Sequence, residues 1–232
     1  MYKGVTIKPP FFEIGPKCYM YGERMLKLAY AADAASEKYD VRIILTVQPS
    51  DIYRLAKETN NVLIFAQHMD PVSIGRGNGW ILPEALKEAG ADGVMLNHAE
   101  KPMSLADLSL SIKRADEVGL LTIVCADSLR EAQAIAHLQP NIIVAEPTEL
   151  IGTGQTSDEA YVKATTSAIK EVNPEIQVLQ AAGIKNGQDV YRTIRAGADA
   201  TGTTSGIMKA GNPEAMLDEM IRSVRRAWDE IH

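Results

Sequence analysis

Four short segments carry residues able to do chemistry. In AEPTELIGTG (145–154), Glu146 ends an apolar run and Gly152, Thr153 and Gly154 follow within a few residues. A carboxylate at the mouth of a buried strand is partly desolvated, which lifts its pKa toward a useful general-base value. Glycines let backbone N–H groups approach an anion closely, and a loop of this kind can close over a ligand. In GVMLNHAE (93–100), His98 follows another apolar run, where an imidazole can polarise a carbonyl or shuttle a proton. Glu100 stands beside it to orient neighbouring groups. AAGIKNG (181–187) and TTSGIMKAG (203–211) place small residues after two further runs, a pattern suited to holding phosphate through backbone N–H groups. Taken singly, each has a plainer account: a strand-end Glu with a Gly turn, a histidine capping the next helix, and ordinary Gly turns.

Those segments need elements to position them. Six continuous β-branched runs read as buried parallel strands: 41–47, 62–67, 93–98, 121–126, 142–146 and 176–182. Uninterrupted apolar runs, rather than strict alternation, suit a sheet covered on both faces. A seventh strand is expected within 5–17 and an eighth at 199–204. Amphipathic stretches at 22–38, 50–58, 83–89, 104–118, 128–137, 157–172, 187–196 and 213–230 predict the intervening helices. Ser104 with Asp107, and Asn212-Pro213-Glu214, read as helix starts; Gly90 and Gly119 read as stops. Eight strand–helix units fit an α/β fold of the (β/α)₈ TIM-barrel type better than an open doubly wound sheet. In such a barrel the carboxyl ends of the strands, with Gln67, His68, Asn97, His98, Glu146, Gly183 and Ser205, converge on one face. With no linker or low-complexity tract, the 232 residues are expected to form one domain, 1–232.

Composition excludes several classes. The chain is 46% hydrophobic and 23% charged, an ordinary globular balance rather than a disordered one. Its two cysteines, Cys18 and Cys125, lie far apart, so neither a disulfide framework nor a zinc module is indicated. A net charge of −6 without a dense Lys/Arg run speaks against nucleic acid; Arg222, Arg225 and Arg226 suit a solvated last helix. MYKGVTIKPP lacks the apolar core of a signal peptide, and no run approaches membrane-spanning length. A cytoplasmic protein that binds neither nucleic acid nor membrane is the expectation.

Jointly, FAQHMDP (65–71), GRGNGWILPEALKEAGADGVMLNHAE (75–100), EPTELIGTG (146–154) and AAGIKNGQDV (181–190) resemble the triosephosphate isomerase family, in its short archaeal-type branch. The resemblance runs over roughly residues 14–230. It implies Glu146 as catalytic base, His98 as electrophile, Glu100 as the adjacent acid, and 147–154 as the closing loop. Lys17 falls at the position of the family's phosphate-countering lysine. Gly152, Gly183, Ser205 and Gly206 fall at phosphate-holding positions, with Gly15 among the substrate-facing residues. The implied reaction is proton transfer between adjacent carbons of a phosphorylated hydroxy-ketone, most simply dihydroxyacetone phosphate and glyceraldehyde 3-phosphate. No metal or organic cofactor is implied, since proton transfer completes the reaction. A homodimer or homotetramer is implied through the loop GRGNG (75–79), placing Arg76 and Trp80 near an interface; alternatively, Trp80 packs under its own chain.

The first strand departs from the pattern. Where the family carries Asn-x-Lys, IGPKCY (14–19) offers Gly15 and Lys17, while a shifted register would offer Lys8. The Lys17 register keeps the following helix aligned, although Pro9, Pro10 and Pro16 make the segment irregular. Period-2 alternation then puts Glu13 on the same face, either entering the pocket floor or, the preferred reading, pairing with Lys17. Ala99, Ala181 and TGTTSG (201–206) also differ from the family: Ala181 adds a methyl that can crowd a backbone contact, and Thr203 and Thr204 add hydroxyls near the phosphate end. These changes leave room for a different sugar phosphate, such as a tetrulose phosphate. A non-catalytic phosphometabolite-binding barrel and a Schiff-base aldolase using Lys17 or Lys209 are the other readings.

Overall fold

A computed structural model describes residues 1–147 and 159–232. Within them the chain runs β1 (Phe11–Ile14), α1 (Gly22–Tyr39), β2 (Arg42–Val47), α2 (Pro49–Glu58), β3 (Val62–Ala66), α3 (Pro83–Glu88), β4 (Gly93–Leu96), α4 (Leu105–Val118) and β5 (Leu121–Ala126). It continues α5 (Leu129–Ala136), β6 (Ile142–Ala145), α6 (Glu159–Val172), β7 (Gln177–Gln180), α7 (Gly187–Arg195), β8 (Ala200–Thr203), α8 (Ser205–Met208) and α9 (Pro213–Asp229). Each strand pairs in parallel with the next, and β1 pairs with β8 (Phe11 opposite Ala200, Ile14 opposite Thr203), closing the barrel. The expected (β/α)₈ class is therefore the observed one.

Alternation along each strand sorts the apolar side chains into two cores. Phe11, Ile44, Phe65, Ile123, Val144 and Leu179 fill the barrel interior. Phe12, Ile14, Leu45, Ile64, Val124 and Val178 point outward against the helices. Phe11 and Phe12 are both fully buried on opposite faces of one strand, which is why these strands read as continuous apolar runs. Each such side chain contributes about 2–3 kcal/mol on burial.

The helix punctuation holds where its chemistry was explicit. Ser104 accepts the Asp107 N–H at 3.1 Å, and Asn212 accepts the Ala215 N–H at 3.0 Å ahead of Pro213. Gly119 ends α4 with φ +78°, a left-handed cap that favours glycine.

Two local expectations concern the first and last strands, and the first strand falls inside the expected 5–17. The first strand is only four residues, Phe11–Ile14; 5–8 is not a strand, and Lys8 is exposed and away from the barrel mouth. The proline pair at 9–10, joined by a cis bond, precedes the strand, and Pro16 follows its end. The other concerns β8, where threonine hydroxyls replace apolar bulk. Thr201 donates to Gln180 O at 2.6 Å and Thr203 donates to Ile184 O at 2.7 Å. Thr203 also accepts the Gly206 N–H at 3.2 Å, so its hydroxyl ties the loop after β7 to the start of α8.

Candidate active site

The carboxyl ends of the strands surround a cleft of about 450 Å³. Glu13, Lys17, His98 and Glu146 face into it from β1, the turn after β1, the turn after β4 and the end of β6. Gly15, Gly183 and Ser205 also line it. Gly206 does not: a Cβ there would lie 2.7 Å from Ile184 O, so this glycine serves a close approach of α8 to the preceding loop. Gly183 has φ +71°, which explains the residue type on that wall. Gly152 and the loop 148–154 lie outside the described residues.

Each polar side chain is held by specific partners. Glu146 leaves β6 with its N–H on Ala126 O at 3.0 Å, and its carboxyl is largely buried. Burial raises its pKa, the Lys17 charge opposes that rise, and Glu100 adds to it. His98 is presented by Asn97, whose φ of +56° makes a sharp turn directly after β4. The Asn97 amide donates to Cys125 O at 3.0 Å and to Glu131 Oε1 at 3.1 Å, and its carbonyl accepts the Met103 N–H. Glu131 is in turn fixed in the first turn of α5, where Ser128 caps its N–H and its other oxygen accepts the Asp127 N–H.

The imidazole tautomer follows from one contact. His98 Nδ1 accepts the backbone N–H of Glu100 at 3.0 Å, so the proton of the neutral ring sits on Nε2. Burial first, and the Lys17 charge second, lower the His98 pKa and keep the ring neutral. Its free donor is then an Nε2–H.

Lys17 does not pair with Glu13, contrary to the expectation. Its ammonium donates to Glu100 Oε1 at 2.8 Å. The reason is geometric: β1 ends at Ile14, and Lys17 adopts φ +48° beyond Pro16, so strand alternation no longer directs it. Gln67 at the end of β3 holds this turn, donating to Lys17 O at 3.0 Å, assisted by Gln48 at 3.4 Å. Gln67 and Asn97 are recognisable in the sequence as polar residues at strand ends, but their positioning task depends on partners far away in the chain. His68 lines the cleft as well and approaches Asp70 at 3.4 Å.

Glu13 sits deeper, on the inward face of β1, and is 6% exposed. Its pKa is raised from near 4.5 to about 7, first by burial; the Thr46 hydroxyl opposes the rise, the Glu146 charge adds to it and Lys17 opposes it. No hydrogen bond of good geometry completes the Thr46 contact: Glu13 Oε1 and Thr46 Oγ1 are both buried without a partner among the described residues. The folded chain therefore keeps a proton that the unfolded chain releases, so stability falls as pH rises from 4.5 to 7, by roughly 3 kcal/mol. Glu13→Gln should be more stable than the parent chain at pH 8 and lose most of that advantage at pH 5. Urea unfolding at both pH values checks this, and an equal effect at both would refute it.

Cys18, Cys125 and Lys209 also line the cleft, but none has the surroundings of a reactive group. Cys18 is exposed, with Gln48 donating to its sulfur at 3.3 Å, and burial pushes the Cys125 thiol well above its ordinary range. Lys209 is exposed and lies 5.9 Å over the Tyr19 ring, without the desolvation that a Schiff-base lysine needs. Among the described residues no cluster of His, Cys, Asp or Glu is placed to hold a metal ion. No helix among them is long and apolar enough to cross a membrane.

A deprotonated carboxylate, a neutral N–H donor and a cation on one cleft can abstract a carbon-bound proton and stabilise the resulting enediolate. Comparison with known proteins leads to the same chemistry. A family model described as triosephosphate isomerase matches residues 14–220. The triosephosphate isomerase of Saccharolobus solfataricus is 36% identical over 225 residues, covering 95% of this chain and 99% of its own. That of Methanothermus fervidus is 39% identical over 203 residues, covering 86% and 91%. The crystal structure of triosephosphate isomerase from Bartonella henselae aligns with a TM-score of 0.77 at 18% identity, covering 95% of this chain and all of that one, a likeness of fold. Matched from the last residue of β1 into α9, and along nearly the whole length of its archaeal relatives, the chain belongs to the triosephosphate isomerase family of aldose–ketose isomerases.

Proposed function

We propose that the chain interconverts dihydroxyacetone phosphate and glyceraldehyde 3-phosphate through an enediolate, with Glu146, His98 and Lys17 as its working groups. The convergence of these three side chains on the cleft carries the reading. Glu146 removes the proton from the carbon beside the carbonyl; its raised pKa brings its basicity closer to that needed at neutral pH. His98 gives its Nε2 proton to the carbonyl oxygen and takes one back from the neighbouring hydroxyl, while Glu146 returns its proton to the adjacent carbon, a role suited to a ring kept neutral by burial and by Lys17. Lys17 balances the negative charge of phosphate and enediolate. Glu100 positions the Lys17 ammonium and, through its backbone N–H, the imidazole tautomer. Gly183 and Ser205 form the wall that takes the phosphate, beside Gly15.

The deciding experiment is a coupled assay with each triose phosphate, using Glu146→Gln as the control. Rapid turnover that disappears in the variant supports the assignment. Folded parent protein without turnover on either substrate would overturn it.

Self-association is proposed as well, as a homodimer or homotetramer. The loop after β3 exposes Ile74 at 76% and Trp80 at 61%, so Trp80 is not packed under its own chain. Apolar side chains this exposed on one loop are suited to an interface. Analytical sedimentation at micromolar concentration should show a multiple of 25.3 kDa; a monomer throughout would refute the association.

A further inference from the structure

The cleft holds a buried carboxyl that the proton transfer leaves unused. Glu13 precedes the residues matched by the family model, and it points into the cleft from the barrel side. A structural carboxylate buried this deeply is normally paired with a cation or several donors. Here the nearest lysine is engaged by Glu100, and Glu13 Oε1 has no hydrogen-bond partner among the described residues.

Two glycines make the space. A Cβ placed on Gly15 would stand 3.2 Å from Glu13 Oε1 and 3.5 Å from Thr204 Oγ1. One placed on Gly202, across the β1–β8 ladder, would meet the Glu13 backbone oxygen first, at 2.7 Å, and Glu13 Oε2 at 3.1 Å. The carboxyl thus reaches, from two residues earlier in the chain, the volume that a side chain at position 15 would enter. We propose that Glu13 is a substrate-binding residue whose carboxyl, in place of a side chain at position 15, receives a hydroxyl or carbonyl oxygen of the substrate at the cleft floor. This rests on the reading that the cleft takes a phosphorylated hydroxy-ketone.

The chemistry selects the oxygen. A phosphate would face a second anion at this point whenever Glu13 ionises, whereas a hydroxyl can be met by either form of the carboxyl and a carbonyl by its proton. Burial and the neighbouring Glu146 keep that proton in place up to about pH 7, against the opposing influence of Lys17. The Cys125 thiol on β5 senses the same carboxyl, and its other neighbours, Thr46 on β2, Gly202 on β8 and Thr204 just beyond β8, do not titrate. Below pH 7 Glu13 is an O–H donor; above it the donor is lost.

Steady-state kinetics of the parent chain, Glu13→Gln, Glu13→Ala and the double variant Glu13→Ala/Gly15→Asn test this, with both triose phosphates at pH 6 to 9. Calorimetric titration of dihydroxyacetone phosphate and of inorganic phosphate, on a Glu146→Gln background, separates substrate oxygens from phosphate. Glu13→Ala should lower kcat/KM about 10- to 100-fold and weaken dihydroxyacetone phosphate similarly, leaving inorganic phosphate within about twofold. Glu13→Gln, which keeps a donor of the same shape, should stay within about fivefold and lose the parent chain's rise in KM above pH 7. Asparagine at position 15 should recover much of the loss in the double variant, because it returns a neutral donor to the vacated volume.

An unchanged kcat/KM in Glu13→Ala would overturn the proposal, as would a parallel loss of inorganic phosphate binding. Should Glu13→Ala not fold, a Glu13→Gln variant that retains the parental pH profile of KM would overturn it. If the parent chain turns over neither triose phosphate, the isomerase reading fails and the titrations still judge Glu13. Selective loss of dihydroxyacetone phosphate binding then upholds its role. Binding that ignores Glu13, or is absent altogether, removes it.

Discussion

Glu146→Gln is expected to lower kcat for triose phosphate interconversion by roughly three to four orders of magnitude, with KM changed only a few-fold. The amide occupies the same volume and can still accept a hydrogen bond, but it cannot hold the abstracted proton. The substitution removes a buried carboxylate whose pKa is raised by burial, so no stabilising ion pair is lost with it. The variant should unfold at the same or a higher temperature than the parent. Kinetics and thermal unfolding on one preparation check both halves of this expectation. Residual kcat within tenfold of the parent chain would remove Glu146 as the base.

Lys17→Met should have the second-largest effect, lowering kcat/KM by about 10²- to 10³-fold, principally through KM. The methionine preserves length and flexibility while removing the cation that faces the cleft. Its former partner Glu100 is 64% exposed and regains water, so the loss of that ion pair should cost little stability. The charge also acts on its neighbours: Lys17 lowers the pKa of both Glu146 and His98. Without it, the acidic limb of the kcat/KM profile, where Glu146 must lose its proton, should move to higher pH. A purely structural lysine would change unfolding temperature and leave that limb where it was. A pH profile of the variant therefore distinguishes the two, and a twofold effect on kcat/KM would exclude the charge-balancing role.

These expectations share a physical root in the barrel's closure. The Glu13–Lys17 segment, His98 and Glu146 come from widely separated parts of the chain, and each is modest by itself. Desolvation raises the two glutamates and lowers the histidine, while one lysine opposes the first effect and reinforces the second. The cleft thus holds two carboxyls raised by burial and one imidazole lowered by it within one field.

Much of the architecture was determined locally. The strands β2 to β6 were legible as β-branched runs, because a strand buried on both faces must be apolar at every position. Helix boundaries at Ser104, Gly119 and Asn212 were legible because a cap is a short-range hydrogen bond. Glu146 and His98 were legible for a related reason: a lone ionisable residue at the end of an apolar run marks the rim of a parallel sheet. The first and last strands were less so. Prolines flank β1, and β8 is built from threonine and glycine, whose placement makes sense only beside Gln180, Ile184 and Glu13.

What the tertiary structure alone decided concerns pairing and environment. Spacing alone puts Lys17 and Glu13 near the same strand end, and alternation favours their pairing. A positive φ at Lys17 sent the ammonium to Glu100 instead, and left the Glu13 carboxyl alone above the barrel core. The tautomer of His98 likewise depends on a single backbone N–H two residues away, and on the Asn97 turn that presents the ring. Sequence spacing constrains which residues can share a face. It does not encode the dielectric around a carboxyl or the direction of a side chain after a turn, because both are set by neighbours that only barrel closure brings together.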